Sequence, residues 1–365
     1  MTADKYFEQL AKTGVATLRA LDAFEGTMRR LHPPAIADLR TRLAPHGGAL
    51  ETRLAELRSI TPPADLGPFH EQFLRGAELA LRAVSDFVEE PPASQAIARV
   101  LGSMSTHCRA LEALYPLHQF PPLGRYFVEP AFHDRLDAFD PEPNSDESRG
   151  LHHSTTTEDG DRGGFSLYVP ERYDEGRAWP LVVALHGGSG VGRDFLWTWL
   201  REARGRGFLL LAPTSRGSTW SLMGPDVDAG TLHAMVAFVR ERWQVDEAHV
   251  LLTGLSDGAT FALLCGLEAD SPFTALAPVS GVVHPAALIG DRAERLVGRR
   301  IRLVHGTLDW MFPIELAHNG RDQLLAAGAD LAFCEIEDLS HAYPREENDR
   351  ILTWFDPTLA LPSEA

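Results

Sequence analysis
The spacing of apolar residues changes along this chain, and the change divides it. In the first third they recur at helical intervals. Leu10, Val15, Leu18, Leu21, Phe24, Met28 and Leu31 lie three to five residues apart, an amphipathic stripe that Pro33-Pro34 ends. A second helical stretch starts near Ala35 and breaks at Pro45-His46-Gly47-Gly48. It resumes through Leu50, Leu54 and Leu57 and stops at Pro62-Pro63. A third runs from about 66 to 88 and a fourth from about 93 to 117. Four such helices with proline punctuation predict a small antiparallel bundle over residues 1–120.

Residues 121–163 are rich in Pro, Asp and Glu and predict an extended linker, with Pro121-Pro122, Pro130, Pro141 and Pro143 opposing helix and central strand. His152-His153 beside Glu158, Asp159 and Asp161 lacks a ligand spacing on one element, so a solvated loop is expected there. Beyond 164 the period changes: 165–170 alternates like a strand, and short apolar runs follow at 180–185, 207–212, 250–253, 273–279, 301–304 and 331–336. Such runs suit strands buried on both faces. Helical patterns separate them at 230–243, 259–267, 314–327 and 345–355. Residues 164–365 therefore read as an α/β domain with a mostly parallel sheet covered on both faces.

Composition narrows the function. The 365 residues carry a formal net charge of −17, so no nucleic-acid partner is expected and anionic lipid is a poor match. The three cysteines, Cys108, Cys265 and Cys334, give neither a disulfide framework nor metal spacing. His107-Cys108 is a single pair, and no nucleotide motif is present, so neither metal nor cofactor is expected. No apolar run is long enough to span a bilayer, and residues 1–8 lack the basic-then-apolar pattern of a secretory signal, so a cytoplasmic location is expected. The helical region carries no chemical constellation; covering an active-site mouth, oligomerisation and partner binding are the roles open to it.

The chemistry lies in Gly254-Leu255-Ser256-Asp257-Gly258, a G-x-S-x-G pattern between an apolar run and a helical one. A serine on a tight strand-to-helix turn projects its hydroxyl at the top of a sheet. Side chains two residues away on either side would collide there, and both positions are glycine. The next helix aims its N-terminal N–H groups at the same place.

Taken with His186-Gly187-Gly188 upstream and Asp309 and His341 downstream, this stretch resembles the α/β-hydrolase superfamily. Within it the chain is most similar to the carboxylesterase, feruloyl-esterase and polyhydroxybutyrate-depolymerase-like branch. The resemblance runs from about residue 165 to the end and leaves out the helical region. It implies an α/β-hydrolase domain and a serine esterase acting through an acyl-enzyme. The substrate would be a small or polymeric ester. Peptidase, thioesterase, lactonase and acyltransferase chemistry use the same parts, and a noncatalytic binding protein can keep the fold.

The resemblance also implies the chain order serine, acid, histidine. His305-Gly-Thr-Leu-Asp309-Trp-Met-Phe-Pro313 resembles the family's H-G-x-x-D-x-x-x-P turn, making Asp309 the acid, with Asp338 as rival. His341 is the base by the same comparison, with His305 and His284 as rivals. The H-G-G loop implies an oxyanion hole from the N–H of Gly188 or Gly187 together with that of Asp257. Where many relatives have a second glycine after the motif, this chain has Ala259. Trp220, Trp310 and His284 are candidates for the pocket wall; the two tryptophans fit the core equally well.

Overall fold
The computed structural model describes residues 3–139, 148–154 and 162–362. The chain divides into two compact units, Met1–Phe127 and Val128–Ala365. No helix among the described residues is long and apolar enough to cross a membrane.

The first unit is built on four helices: α1 (Ala3–Arg29), α2 (Ile36–Arg58), α3 (Gly67–Val88) and α4 (Ala96–Leu114). Each packs on the next, and α1 also packs on α3. Contact is close where a side chain is missing. A methyl on Gly76 would come within 2.5 Å of Leu114, and one on Gly47 within 2.9 Å of Val84. The expected break at Pro45 does not occur, because α2 runs through it. Leu39, Leu43, Gly47, Leu50, Leu54 and Leu57 form one buried stripe along the whole helix. Each buried leucine contributes about 2 kcal/mol, which together outweighs the roughly 3 kcal/mol cost of an interior proline.

The stretch expected to be extended is partly helical. Pro121 opens a helix to Tyr126, and helical turns follow over Pro130–Arg135 and Leu136–Phe139. Each of the first two begins with its proline, where the missing N–H has no intrahelical partner to lose. Pro141, Pro143, Glu158, Asp159 and Asp161 lie outside the described residues. His152 and His153 belong to a strand rather than a solvated loop: the His152 ring lies 5.8 Å from Trp243, and His153 Nδ1 is 2.8 Å from Ser166 Oγ.

Among the described residues the second unit holds an eight-stranded sheet: β1 (Gly150–Ser154), β2 (Phe165–Val169), β3 (Trp179–Leu185), β4 (Leu209–Pro213), β5 (Val245–Leu255), β6 (Ala275–Val279), β7 (Arg300–Gly306) and β8 (Asp330–Ile336). Their order is β1-β2-β4-β3-β5-β6-β7-β8. β2 pairs antiparallel with β1 and β4; every other neighbour pair is parallel. With helices packed on this sheet and a helical bundle before it, the fold class is the α/β-hydrolase one expected. Leu181, Val183 and Leu185 share one core with Leu232, Val236 and Val239 of the helix Ala229–Arg242. Strand order reverses between β3 and β5, and their carboxyl ends meet where Leu185 pairs with Gly254. That crevice is where open α/β sheets bind their ligands.

Candidate active site
Ser256 sits at that switch point, between β5 and the helix Asp257–Gly266. Its backbone is left-handed, at φ 57° and ψ −120°, a conformation that strains a residue with a side chain. Tight surroundings hold it there. A methyl on Gly258 would lie 2.4 Å from the His186 carbonyl oxygen, and one on Gly254 would lie 2.7 Å from the backbone of Gly258. The Ser256 amide donates to Val279 O at 3.0 Å, tying the turn to β6.

His341 reaches this serine from the loop after β8. Its Nε2 is 2.9 Å from Ser256 Oγ, and its Nδ1 is 2.8 Å from Asp309 Oδ2. A carboxylate can only accept, so Nδ1 carries the proton and Nε2 is left to accept from the hydroxyl. Asp309 is buried at the turn after β7, and its other oxygen accepts from the amides of Met311 and Phe312 at 2.9 and 2.8 Å. Burial is the largest influence on this carboxyl and acts to raise its pKa. The His341 bond, the Phe312 amide and the nearby imidazoles outweigh it, and the pKa falls below the usual range.

The rivals lie elsewhere. Asp338 is exposed. His305 is fully buried under the acid's turn; its Nε2 donates to Phe312 O at 2.8 Å and lies 3.5 Å from Asp309 Oδ2. His284 caps a short helical turn, its Nδ1 accepting from Ala286 N at 3.1 Å.

The loop after β3 lies against the same serine: a methyl on Gly187 would be 3.5 Å from Ser256 Cβ. His186 braces this loop from below. Its Nδ1 donates to Gly187 O at 2.7 Å, and its Nε2 accepts from Ser215 N at 3.0 Å. Burial pushes its pKa down to about 4, which keeps the ring neutral as this bonding requires. Trp220 is buried beside it, its Nε1 donating to His186 O at 2.8 Å and its ring stacked on Phe261, so it supports the loop from inside. Trp310 is half exposed.

The Asp257 carboxylate turns toward the glycine loop and accepts from Thr219 Oγ1; a methyl on Gly188 would meet it at 2.7 Å. Thr219 carried no sequence signal, and neither did Arg162 or Asp228. Arg162 donates to the carbonyls of Gly217 and Gly190 and so ties the glycine loop to the loop after β4. Asp228 is buried and accepts from the amides of Arg216 and Ser221, both at 2.9 Å. Among the described residues no group of three or more His, Cys, Asp or Glu could hold a metal ion.

A hydroxyl bonded to an imidazole, itself bonded to a buried carboxylate, is an arrangement that can shuttle one proton. No protein-family model matches the chain, and no curated protein matches it. Its similar solved structures include a thermostable esterase, at 22% identity and a TM-score of 0.43, covering 51% of this chain and 54% of that one. The chain thus spans about half the length of that esterase. An acetyl xylan esterase from Aspergillus awamori is 16% identical, with a TM-score of 0.45, covering 56% of this chain and 98% of that one. A ferulic acid esterase is 14% identical, with a TM-score of 0.46, covering 57% and 98%.

Proposed function
We propose that this protein is a serine carboxylic-ester hydrolase. Ser256 Oγ attacks the ester carbonyl while its proton passes to His341 Nε2. Asp309 keeps the imidazole in the required tautomer and stabilises the cation that forms. The carbonyl oxygen becomes an oxyanion held by the N–H of Asp257 and that of Gly188 or Gly187; each such donor typically lowers the barrier by about 3 kcal/mol. Collapse of this intermediate expels the alcohol, which takes the proton from His341 and leaves an acyl-serine. Water, deprotonated by the same imidazole, then releases the acid and restores the hydroxyl.

The observation that carries the reading is the unbroken run of hydrogen bonds from Asp309 through His341 to Ser256, assembled from three separate loops. The test is labelling by a serine-directed fluorophosphonate. The expected result is labelled wild-type protein and no label on Ser256→Ala. Folded wild-type protein that takes no label overturns the proposal in favour of a noncatalytic binding role. A panel of p-nitrophenyl esters beside a peptide substrate then separates ester from amide hydrolysis, with turnover of the esters expected.

A further inference from the structure
The turn that carries Asp309 exposes three large apolar side chains. Leu308 is 45% exposed, Trp310 51% and Met311 48%, and Leu316 follows on the next helix at 44%. Scattered apolar side chains are ordinary on a protein surface; several on one turn, the turn whose carboxylate is bonded to His341, call for an occupant. Exposed carboxylates border this surface: Glu315 precedes Leu316, and Glu337, whose carbonyl accepts from Thr307 Oγ1, is followed by Asp338. From Thr307 to Ile314 the sole ionisable residue is Asp309, which is buried against His341, in a chain whose net charge is −17.

The turn is also held still. Leu308 N donates to Leu339 O at 2.9 Å and Thr307 N to Ile336 O at 3.0 Å. Asp309 Oδ1 takes the amides of Met311 and Phe312, and His305 takes the Phe312 carbonyl. Phe312 points inward, its ring 5.3 Å from that of His341 and nearly perpendicular to it. The outward groups are thus presented by a fixed backbone next to the imidazole that faces Ser256. A preformed apolar surface there loses little entropy on binding.

We infer that Leu308, Trp310 and Met311 form a subsite for an uncharged aliphatic acyl chain of the ester. This rests on the ester-hydrolase reading above and adds the substrate class. Met311 adapts its shape to a flexible chain, and the Trp310 ring supplies a broad rigid face. A carboxylate-bearing group gains nothing here and loses hydration.

The experiment uses the full chain and three phosphonofluoridates carrying one reporter: ethyl, octyl and carboxylate-terminated octyl. Wild-type protein is expected to react with the octyl probe about tenfold faster than with either of the others, since each buried methylene contributes about 0.8 kcal/mol and only part of the chain is covered. Trp310→Ala and Met311→Ser should each cut the octyl-to-ethyl ratio several-fold, and Trp310→Phe should keep most of it. A ratio near one in wild-type protein, or an unchanged ratio in both folded variants, overturns the subsite while leaving the hydrolase reading intact. Absence of Ser256-dependent labelling by all three probes overturns both.

Discussion
At Ser256 the polypeptide accepts backbone strain to project one hydroxyl, and the hydroxyl matters only through its two partners. The buried carboxylate is the partner most easily tested. Asp309→Asn keeps the shape of the turn, but its one amide oxygen is held by the Met311 and Phe312 amides, so its NH2 faces His341 Nδ1 and can only donate. The favoured tautomer is then lost, and kcat should fall about 10⁴-fold with the melting temperature little changed. Asp338→Asn is the control; its carboxylate is exposed, so activity should stay within about twofold of wild type. Equal losses in the two variants would reverse the assignment. Ser256 was legible from its glycine spacing and strand-turn setting; Asp309 and His341 were expected from the family resemblance, and hydrogen bonds bring the three side chains together. Arg162 and Thr219 were not legible. They act across loops far apart in sequence, on backbone carbonyls and on one carboxylate, and nothing in their neighbouring residues marks that.

At the scale of elements, the loop after β3 shows how burial ties stability to pH. His186 is neutral when folded, with a pKa near 4 in place of 6.5. Between those values the unfolded chain binds a proton that the folded chain does not, so stability falls as pH drops from 6.5 toward 4 and this loss stops below 4. A pKa lowered from 6.5 to about 4, at about 1.4 kcal/mol for each tenfold change in proton affinity, gives roughly 3.5 kcal/mol. The depressed Asp309 carboxyl adds a separate loss that sets in below its ordinary 3.8. Urea melts at pH 7, 5.5 and 4.5 should show the loss, and His186→Gln should flatten it; an equal slope in the variant rules His186 out as its source. In the helical unit, Pro45 is exposed and has no N–H to offer the carbonyl of Thr41. Pro45→Ala restores that bond without disturbing packing. It should raise the stability of α2's unit by about 2 kcal/mol, net of the freedom the unfolded chain regains, read as a higher melting temperature.

The same scale explains which elements the pattern revealed. β3, β4 and β6 are continuous apolar runs and were visible as such. β1 was missed because Gly-Leu-His-His-Ser has neither alternation nor an apolar run, and among the described residues it stands at the edge of the sheet, paired with β2. The turns between 192 and 207 were missed for the opposite reason. Arg204 and Arg206 are charged yet buried, and Arg206 is matched there by Glu129 and Asp349, partners that local periodicity cannot report.

At the scale of the whole molecule, the division at Phe127 and Val128 carries a physical consequence. The core that supports Ser256 draws its buried residues from Leu167 to Ala329, none of them from the helical unit. The hydrogen bonds that assemble the site, those of Asp309, His341, His186 and Arg162, likewise close within the second unit. A unit with its own core and its own site should fold without the other. The chain from Val128 onward, expressed alone, should therefore give a cooperative thermal transition and react with a fluorophosphonate at Ser256 at a rate within about threefold of the full chain. The helical unit alone has its own buried core, with Leu21, Phe24, Leu50, Leu54, Phe73 and Leu111 among the residues in it, and should melt separately. A second unit that aggregates, or that folds but loses its reactivity, would overturn the independence of its core and its site.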